Sequence, residues 1–383
     1  MSTSVAGTLF ALLFLAAAFT SAIHASEDEV RLEVKSTALN DLRNISVILP
    51  AGYEDQPNAV YPVLYVLDGS EQLPHTVGTA RTLHAYGEMP ALIIVGVEST
   101  DRTLDMTPLA LPGVQNSGGG DRFLDFLVDE LKPYIAQRYR TNDYSMLAGH
   151  SFGGLLVTYS LIARPDAYQA RFAFSPSLRF LGPELTEQFK SAVANTHTNT
   201  WLYMNVGAEQ QRVLDAFNAT RTALAAAPEP LHWKADELPD ETHFTTPVIG
   251  QFQAFRELFR NWKLTLATSG KGVSAVKDFY GSLSDRLGYE VVPEESAVNT
   301  AADEVLQVLG NAPLARELLE LSTITWPASS NAYAGLAKVA QVQKDIPAAI
   351  QYMEKALSLV DSNDARYVRF TDQLSQLEKA QHE

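Results

Sequence analysis

The residues best placed to do chemistry lie in AGHSFGG, Ala148 to Gly154. The string follows an apolar run, YSMLAGH (Tyr144 to His150), that reads as a strand. It precedes GLLVTYSLIARP (Gly154 to Pro165), which reads as a helix with apolar residues on almost every side. Gly-x-Ser-x-Gly between a strand and a helix is the spacing of a nucleophile elbow. Gly149 and Gly153 are expected where a tight turn leaves no room for side chains, and Ser151 where backbone strain projects a hydroxyl outward.

A serine hydroxyl is a weak nucleophile at neutral pH and needs a base within hydrogen-bond reach, itself oriented by an acceptor. On such an elbow these partners follow in chain order, an acid after a later strand and a histidine after the last. His243, in PDETHFTTP, lies just past the last apolar run, whereas His232 sits inside that run and reads as a packed core histidine. VGAEQQRVLDAF offers two acids, Glu209 at a strand end and Asp215 in the following helix, and Glu209 is the preferred one. His150 reads as a positioning residue. An oxyanion also needs donors. The backbone N–H of Phe152 supplies one, and the turn in LDGSEQL supplies a second from Gly69 or Ser70.

These positions require a framework of strands ending on one side. Seven runs read as strands: Ile45 to Pro50, Pro62 to Gly69, Ala91 to Val97, Tyr144 to His150, Ala170 to Pro176, Thr200 to Glu209 and Leu231 to Pro239. Several are continuously apolar, as expected of strands covered on both faces. DRFLDFLVDELKPYIAQRY (Asp121 to Tyr139) reads as an amphipathic helix capped by Asp121, and VIGQFQAFRELFRNW (Val248 to Trp262) as another. The glycines at 118–120 read as part of a flexible surface loop over 109–121. After Leu264 strand signals vanish and Ala/Leu/Glu helical patterns take over. Asn331 to Val360 fits one tetratricopeptide-like helix pair, with a weaker copy one period earlier through Ala315, Leu319 and Pro327. Two such pairs need to be capped by the body of the protein or by a last helix near Phe370 to Ala380.

Composition narrows the functional classes. A net charge of −16 over 383 residues disfavours nucleic acid and anionic membranes as partners. The chain has no cysteine, which removes disulfides, thiolate metal sites and cysteine nucleophiles. Its eight histidines are scattered outside any H-E-x-x-H pattern, and neither a dinucleotide fingerprint nor a P-loop is present. The first segment, MSTSVAGTLFALLFLAAAFTSAIHA, is uncharged, with an apolar centre shorter than a membrane span and small residues at its end. It reads as a signal peptide cleaved after Ala25 or Ala22. The expected mature protein is therefore exported, periplasmic or secreted, without a stable span.

Taken together, ISVILPAGYED, YPVLYVLDG, RTLDMTP, DRFLDFLVDELKPYI, AGHSFGG, FSPSL and DETHFTTP resemble, in their order, the putative-esterase family. That family groups enterochelin-type siderophore esterases, feruloyl and acetylxylan esterases, esterase D and the mycolyl transferases. The resemblance runs from about Val30 to Leu264. It implies an α/β-hydrolase fold, a mostly parallel sheet flanked by helices, with a small all-α tetratricopeptide-like domain appended. The expected division is a signal peptide over 1–25, an esterase domain over 26–265, and a linker with the helical domain over 266–383. It further implies Ser151 as nucleophile, His243 as base, an acid at or near Glu209, an oxyanion donor near Gly69 or Ser70, and hydrolysis through an acyl-enzyme with no cofactor. The expected substrate is a small-molecule or glycan-linked ester. The C-terminal helices are expected to offer a surface for a protein partner or for self-association. An inert hydrolase-fold scaffold and an acyltransferase are the alternative readings. FSPSLRF departs from the pattern, with Arg179 where members often carry tryptophan.

Overall fold

In the computed structural model, the residues described are 29–54, 56–196 and 199–382. The segment expected to be a signal peptide lies outside them. Eight strands form one sheet: β1 (Glu29–Ser36), β2 (Asp41–Ile48), β3 (Tyr61–Leu67), β4 (Ile93–Val97), β5 (Thr141–His150), β6 (Ala170–Phe174), β7 (Thr200–Val206) and β8 (Leu231–Glu237). Their spatial order is β1-β2-β4-β3-β5-β6-β7-β8. β2 runs antiparallel to β1 and β4, and all other neighbours are parallel. This is the α/β-hydrolase arrangement, so β3, β5, β6, β7 and β8 end on one side, where their loops can converge.

β1 is absent from the seven runs read as strands in the sequence. EVRLEVKS places charged residues on the exposed side of an edge strand, and its short alternation becomes a strand by pairing with β2 from Glu29↔Ile48 to Ser36↔Asp41. The central strands follow the period of two. Leu64 and Val66 face one side with Met146, Phe172 and Phe174. Val63, Tyr65 and Leu67 face the other with Leu147 and Ala173. Helices Gly69–Ala85 and Thr246–Leu258 cover the first face, while Phe152–Ala163, Gly182–Ala194 and Gln211–Ala225 cover the second.

A helical stretch over 120–136 also covers the second face, with a π-type turn over Phe126–Leu131. Its start differs from the sequence expectation. Gly119 is the N-cap, and Asp121 in the first turn accepts the Tyr159 hydroxyl at 2.7 Å. The preceding glycine segment is folded onto its neighbours rather than forming a loose loop. The N–H groups of Gly118, Gly119 and Gly120 donate to Thr107 Oγ1, Leu104 O and Thr107 O at 2.7, 2.9 and 3.0 Å. A Cβ on Gly118 would meet the Ala110 nitrogen at 2.5 Å, so glycine is needed there for close backbone approach.

Beyond Leu264 the described chain is helical. Helices Glu295–Leu309 and Ala312–Thr325 form one hairpin, and Ser330–Val342 and Ile346–Leu357 a second. The hairpins meet where a Cβ on Gly335 would lie 2.7 Å from Leu319. The last helix, Ala365–Gln381, covers the second hairpin with Phe370 and Leu377. The first helices of this region share a core with the sheet. Val276, Tyr280, Leu283 and Leu287 belong to the same apolar cluster as Tyr144, Trp201 and Phe259. Tyr144 and Tyr289 have ring centroids 4.9 Å apart, and Asn199 Nδ2 donates to Arg286 O at 2.8 Å. Tyr144 and Trp201 lie near the starts of β5 and β7, so these helices pack at the opposite end of the sheet from the elbow.

Candidate active site

Ser151 links β5 to helix Phe152–Ala163 with φ 59° and ψ −111°, a conformation an L-residue adopts only when its surroundings enforce it. Its N–H donates to Phe174 O at 3.0 Å, while its carbonyl accepts from Leu155 N at 2.9 Å and Ser177 N at 3.0 Å. The elbow is thus clamped both to its own helix and to the loop after β6. The two motif glycines have unequal roles. A Cβ on Gly149 would lie 2.5 Å from the Gly153 carbonyl carbon, a collision of backbone with side chain. At Gly153, contrary to the sequence expectation, an added Cβ meets nothing closer than 3.5 Å.

Glu209 lies just past β7 and His243 in the turn before helix Thr246–Leu258. The two loops are laced together. Ala208 N donates to Glu241 O at 2.7 Å, and a Cβ on Gly207 would meet Glu241 O at 2.5 Å. This close approach brings His243 Nδ1 to 2.5 Å from Glu209 Oε1. The carboxylate can only accept, so Nδ1 carries the proton and Nε2 of the neutral ring is left as a base. Asp215 is elsewhere, on helix Gln211–Ala225, accepting from Gln211 at 2.9 Å. His232 stacks on Trp201 at 4.5 Å near the start of β8.

His150 holds the turn that carries His243. Its Nε2 donates to the His243 carbonyl at 2.7 Å, and the two rings lie 4.6 Å apart. Burial, and secondarily the neighbouring His243, lowers the His150 pKa to about 4, so the ring is neutral with its proton on Nε2. Thr246 Oγ1 reaches the same carbonyl at 3.0 Å and Ser175 Oγ at 2.9 Å. Asn205 Oδ1 accepts from Ser175 N at 3.1 Å, while its Nδ2 donates to Thr246 O at 3.0 Å.

The turn after β3 approaches the elbow from the other side. Asp68, in the left-handed region at φ 55°, accepts a bidentate pair from Arg102 at 2.9 Å each, and Arg102 also donates to His150 O at 2.9 Å. Of the two expected donors in this turn, the Ser70 N–H is engaged by Glu98 Oε1, with Ser70 Oγ 3.2 Å from the other oxygen of the same carboxylate. Gly69 lies beneath that carboxylate, since its Cβ would sit 2.9 Å from Glu98 Oε1. Phe152, the first residue of its helix, follows Ser151 directly.

Sequence reasoning misses Ser177, Glu98, Arg102 and Asn205. Ser177 is nearest the nucleophile, its Oγ 3.3 Å from Ser151 Oγ, and this contact rather than one to His243 is the hydrogen bond the Ser151 hydroxyl makes. FSPSL carries no local signal for that role, because the contact exists only once β5 and β6 are paired. Among the described residues no group of three or more His, Asp or Glu side chains is arranged to hold a metal ion.

A family model described as putative esterase matches residues 36–266, more than half of the chain and every residue of the site just described. The chain belongs to the putative-esterase family. Among curated proteins, this family member is 28% identical over 192 residues to the ferri-bacillibactin esterase BesA of Bacillus subtilis, covering 45% of this chain and 65% of that protein. It is 30% identical over 148 residues to a siderophore triacetylfusarinine C esterase of Aspergillus fumigatus, covering 35% of this chain and 51% of that one. The matches thus span between about half and two thirds of these relatives' lengths. Among solved structures, an IroE-like serine hydrolase from Shewanella oneidensis superposes with a TM-score of 0.68 at 28% identity, covering 78% of this chain and 100% of that one.

Proposed function

We propose that this putative-esterase family member is a serine carboxylic-ester hydrolase working through an acyl-enzyme. The observation that carries this reading is the His243–Glu209 pair at 2.5 Å, set on the loops after β8 and β7 at the same sheet end as the strained Ser151. Ser151 Oγ attacks the ester carbonyl while His243 Nε2 takes its proton, and Glu209 stabilises the imidazolium through Nδ1. The Ser151 hydroxyl exchanges Ser177 for His243 as the substrate seats, as apo hydrogen bonds at such sites commonly do. The N–H of Phe152 and the Gly69–Ser70 turn hold the developing oxyanion. For Ser70 to contribute, Glu98 must withdraw, because a carboxylate on that N–H repels the charge that forms there. His243 returns the proton to the leaving alcohol, then activates the water that releases the acid.

The relatives' names favour siderophore esters ahead of polysaccharide-linked or simple acyl esters. The uncharged apolar segment at the start of the chain supports an exported enzyme acting outside the cytoplasm. The test is turnover of short p-nitrophenyl esters and of a catecholate-siderophore ester by the wild type and Ser151→Ala. The expected loss in kcat is roughly 10⁴-fold or more, with covalent labelling of Ser151 by a phosphonylating inhibitor. Equal turnover by the two proteins would overturn the proposal.

A further inference from the structure

Among the described residues, two arginines beside the triad have no ion-pair partner, although the protein as a whole is strongly acidic. Arg179 and Arg212 are exposed, and neither forms a salt bridge to any described residue. Arg179 follows Ser177 by two residues, a span of at most about 7 Å, and Ser177 lies 3.3 Å from the nucleophile. Arg212 follows Glu209 by three residues, in the first turn of helix Gln211–Ala225. The two guanidinium groups and Glu209 feel one another. Burial and then Arg212 lower the pKa of Arg179, and Glu209 opposes them.

Each placement is unfavourable for the free protein. A cation in the first turn of a helix opposes the helix dipole, and two like charges side by side repel. With 45 acidic residues in the chain, a neutralising partner would have been easy to supply, yet Glu209, the carboxylate that acts on Arg179, is committed to His243. Arg102 shows the contrast on the opposite side of the elbow, where its charge is neutralised by Asp68.

Aromatic surface accompanies these charges. Arg179 lies over the Phe180 ring at 4.1 Å, Phe180 packs on Phe152 at 5.4 Å, and Phe244, next to His243, is 81% exposed. A guanidinium laid on a ring has its in-plane N–H groups free to bind a carboxylate or phenolate.

We propose that Arg179 and Arg212 form an anion-binding rim at the mouth of the site, and that the preferred ester carries a carboxylate or phenolate on a planar, apolar arm lying against Phe180. This rests on Ser151 being the nucleophile, and it adds a charge requirement to that reading.

The experiment compares two matched ester pairs. In the first the charge is on the acyl side, 4-nitrophenyl hemiglutarate against 4-nitrophenyl butyrate. In the second it is on the alcohol side, 4-acetoxybenzoate against its methyl ester. kcat/KM is measured for the full chain as wild type, Arg179→Ala, Arg179→Lys and Arg179→Ala/Arg212→Ala. In the wild type the charged member of one pair is preferred, and that preference weakens as salt is raised. The charged-to-neutral ratio falls about tenfold in the double variant, the loss expected for a charge-assisted contact, and Arg179→Lys restores part of it. No charge preference in either pair, or a ratio unmoved by the double variant, would overturn the rim. Ser151→Ala assayed on the neutral esters tests the hydrolase reading separately.

Discussion

His150 sits inside the motif yet does not point its ring at the reacting atoms. It donates from Nε2 to the His243 carbonyl, so a protonation event there is felt on the backbone of the proposed base itself. The folded ring takes a proton only near pH 4, whereas the unfolded chain takes it near 6.5. Between these values the unfolded state binds the extra proton, so folding stability falls as pH drops from 6.5 to 4. The total loss is roughly 3 kcal/mol, and none of it is present above 6.5. His150→Gln keeps a donor for the carbonyl and removes the titration. Urea unfolding of this variant should therefore show a shallower loss of stability from pH 6.5 to 4 than the wild type. Parallel slopes would mean that the acid sensitivity comes from groups other than His150. The same side chain shows where local reading stops. Its position was visible as part of AGHSFGG, but its partner lies 93 residues away and emerges only when the loop after β8 closes over the elbow.

At the scale of elements, the elbow separates two glycines that the motif treats alike. Gly149 is where β5 is crossed by the backbone of the next helix, and a methyl there collides with Gly153. Gly153 is already helical and has ordinary van der Waals space around its missing Cβ, with Asp68 Oδ2 at 3.5 Å. Gly149→Ala should thus cost several kcal/mol, about 3 by comparison with other overpacked core sites. Gly153→Ala should be neutral or stabilising by up to about 1 kcal/mol, since alanine is the better helix residue. Chemical denaturation of the two variants distinguishes a steric account of the motif from one in which both glycines are equally required. Strands β3 to β7 were legible because they are buried, largely apolar and separated by turns. β1 was not, because an edge strand with charged alternate residues carries too little apolar signal until β2 pairs with it. Likewise Glu209 and Asp215 were two acids on one segment, and only the lacing of Gly207 and Ala208 to Glu241 brings one of them to His243.

For the whole molecule, the question is whether the C-terminal helices are a separable unit. Their hairpin periodicity could be read along the chain, but the sequence could not reveal that helix Val273–Leu287 completes the core beneath the starts of β5 and β7. Leu283 is buried there in the cluster that holds Tyr144, Trp201 and Phe259. It lies at the far end of the sheet from Ser151, so its packing bears on stability and not on the geometry of the triad. Leu283→Ala should cost about 3 kcal/mol and leave kcat/KM on a p-nitrophenyl ester within twofold or so at 25 °C, since small remote cavities rarely disturb a distant rigid site. Helix content and esterase activity measured along one urea titration decide how the cost is distributed. If the shared core binds sheet and helices into one cooperative unit, both transitions move together to lower urea. If the helices are an independent appendage, the circular dichroism signal moves alone and activity persists at its original midpoint. The continuity of the apolar cluster from β5 to Leu287 argues for the first outcome, and it makes removal of residues 266–383 a way to expose that cluster rather than a clean excision of a domain.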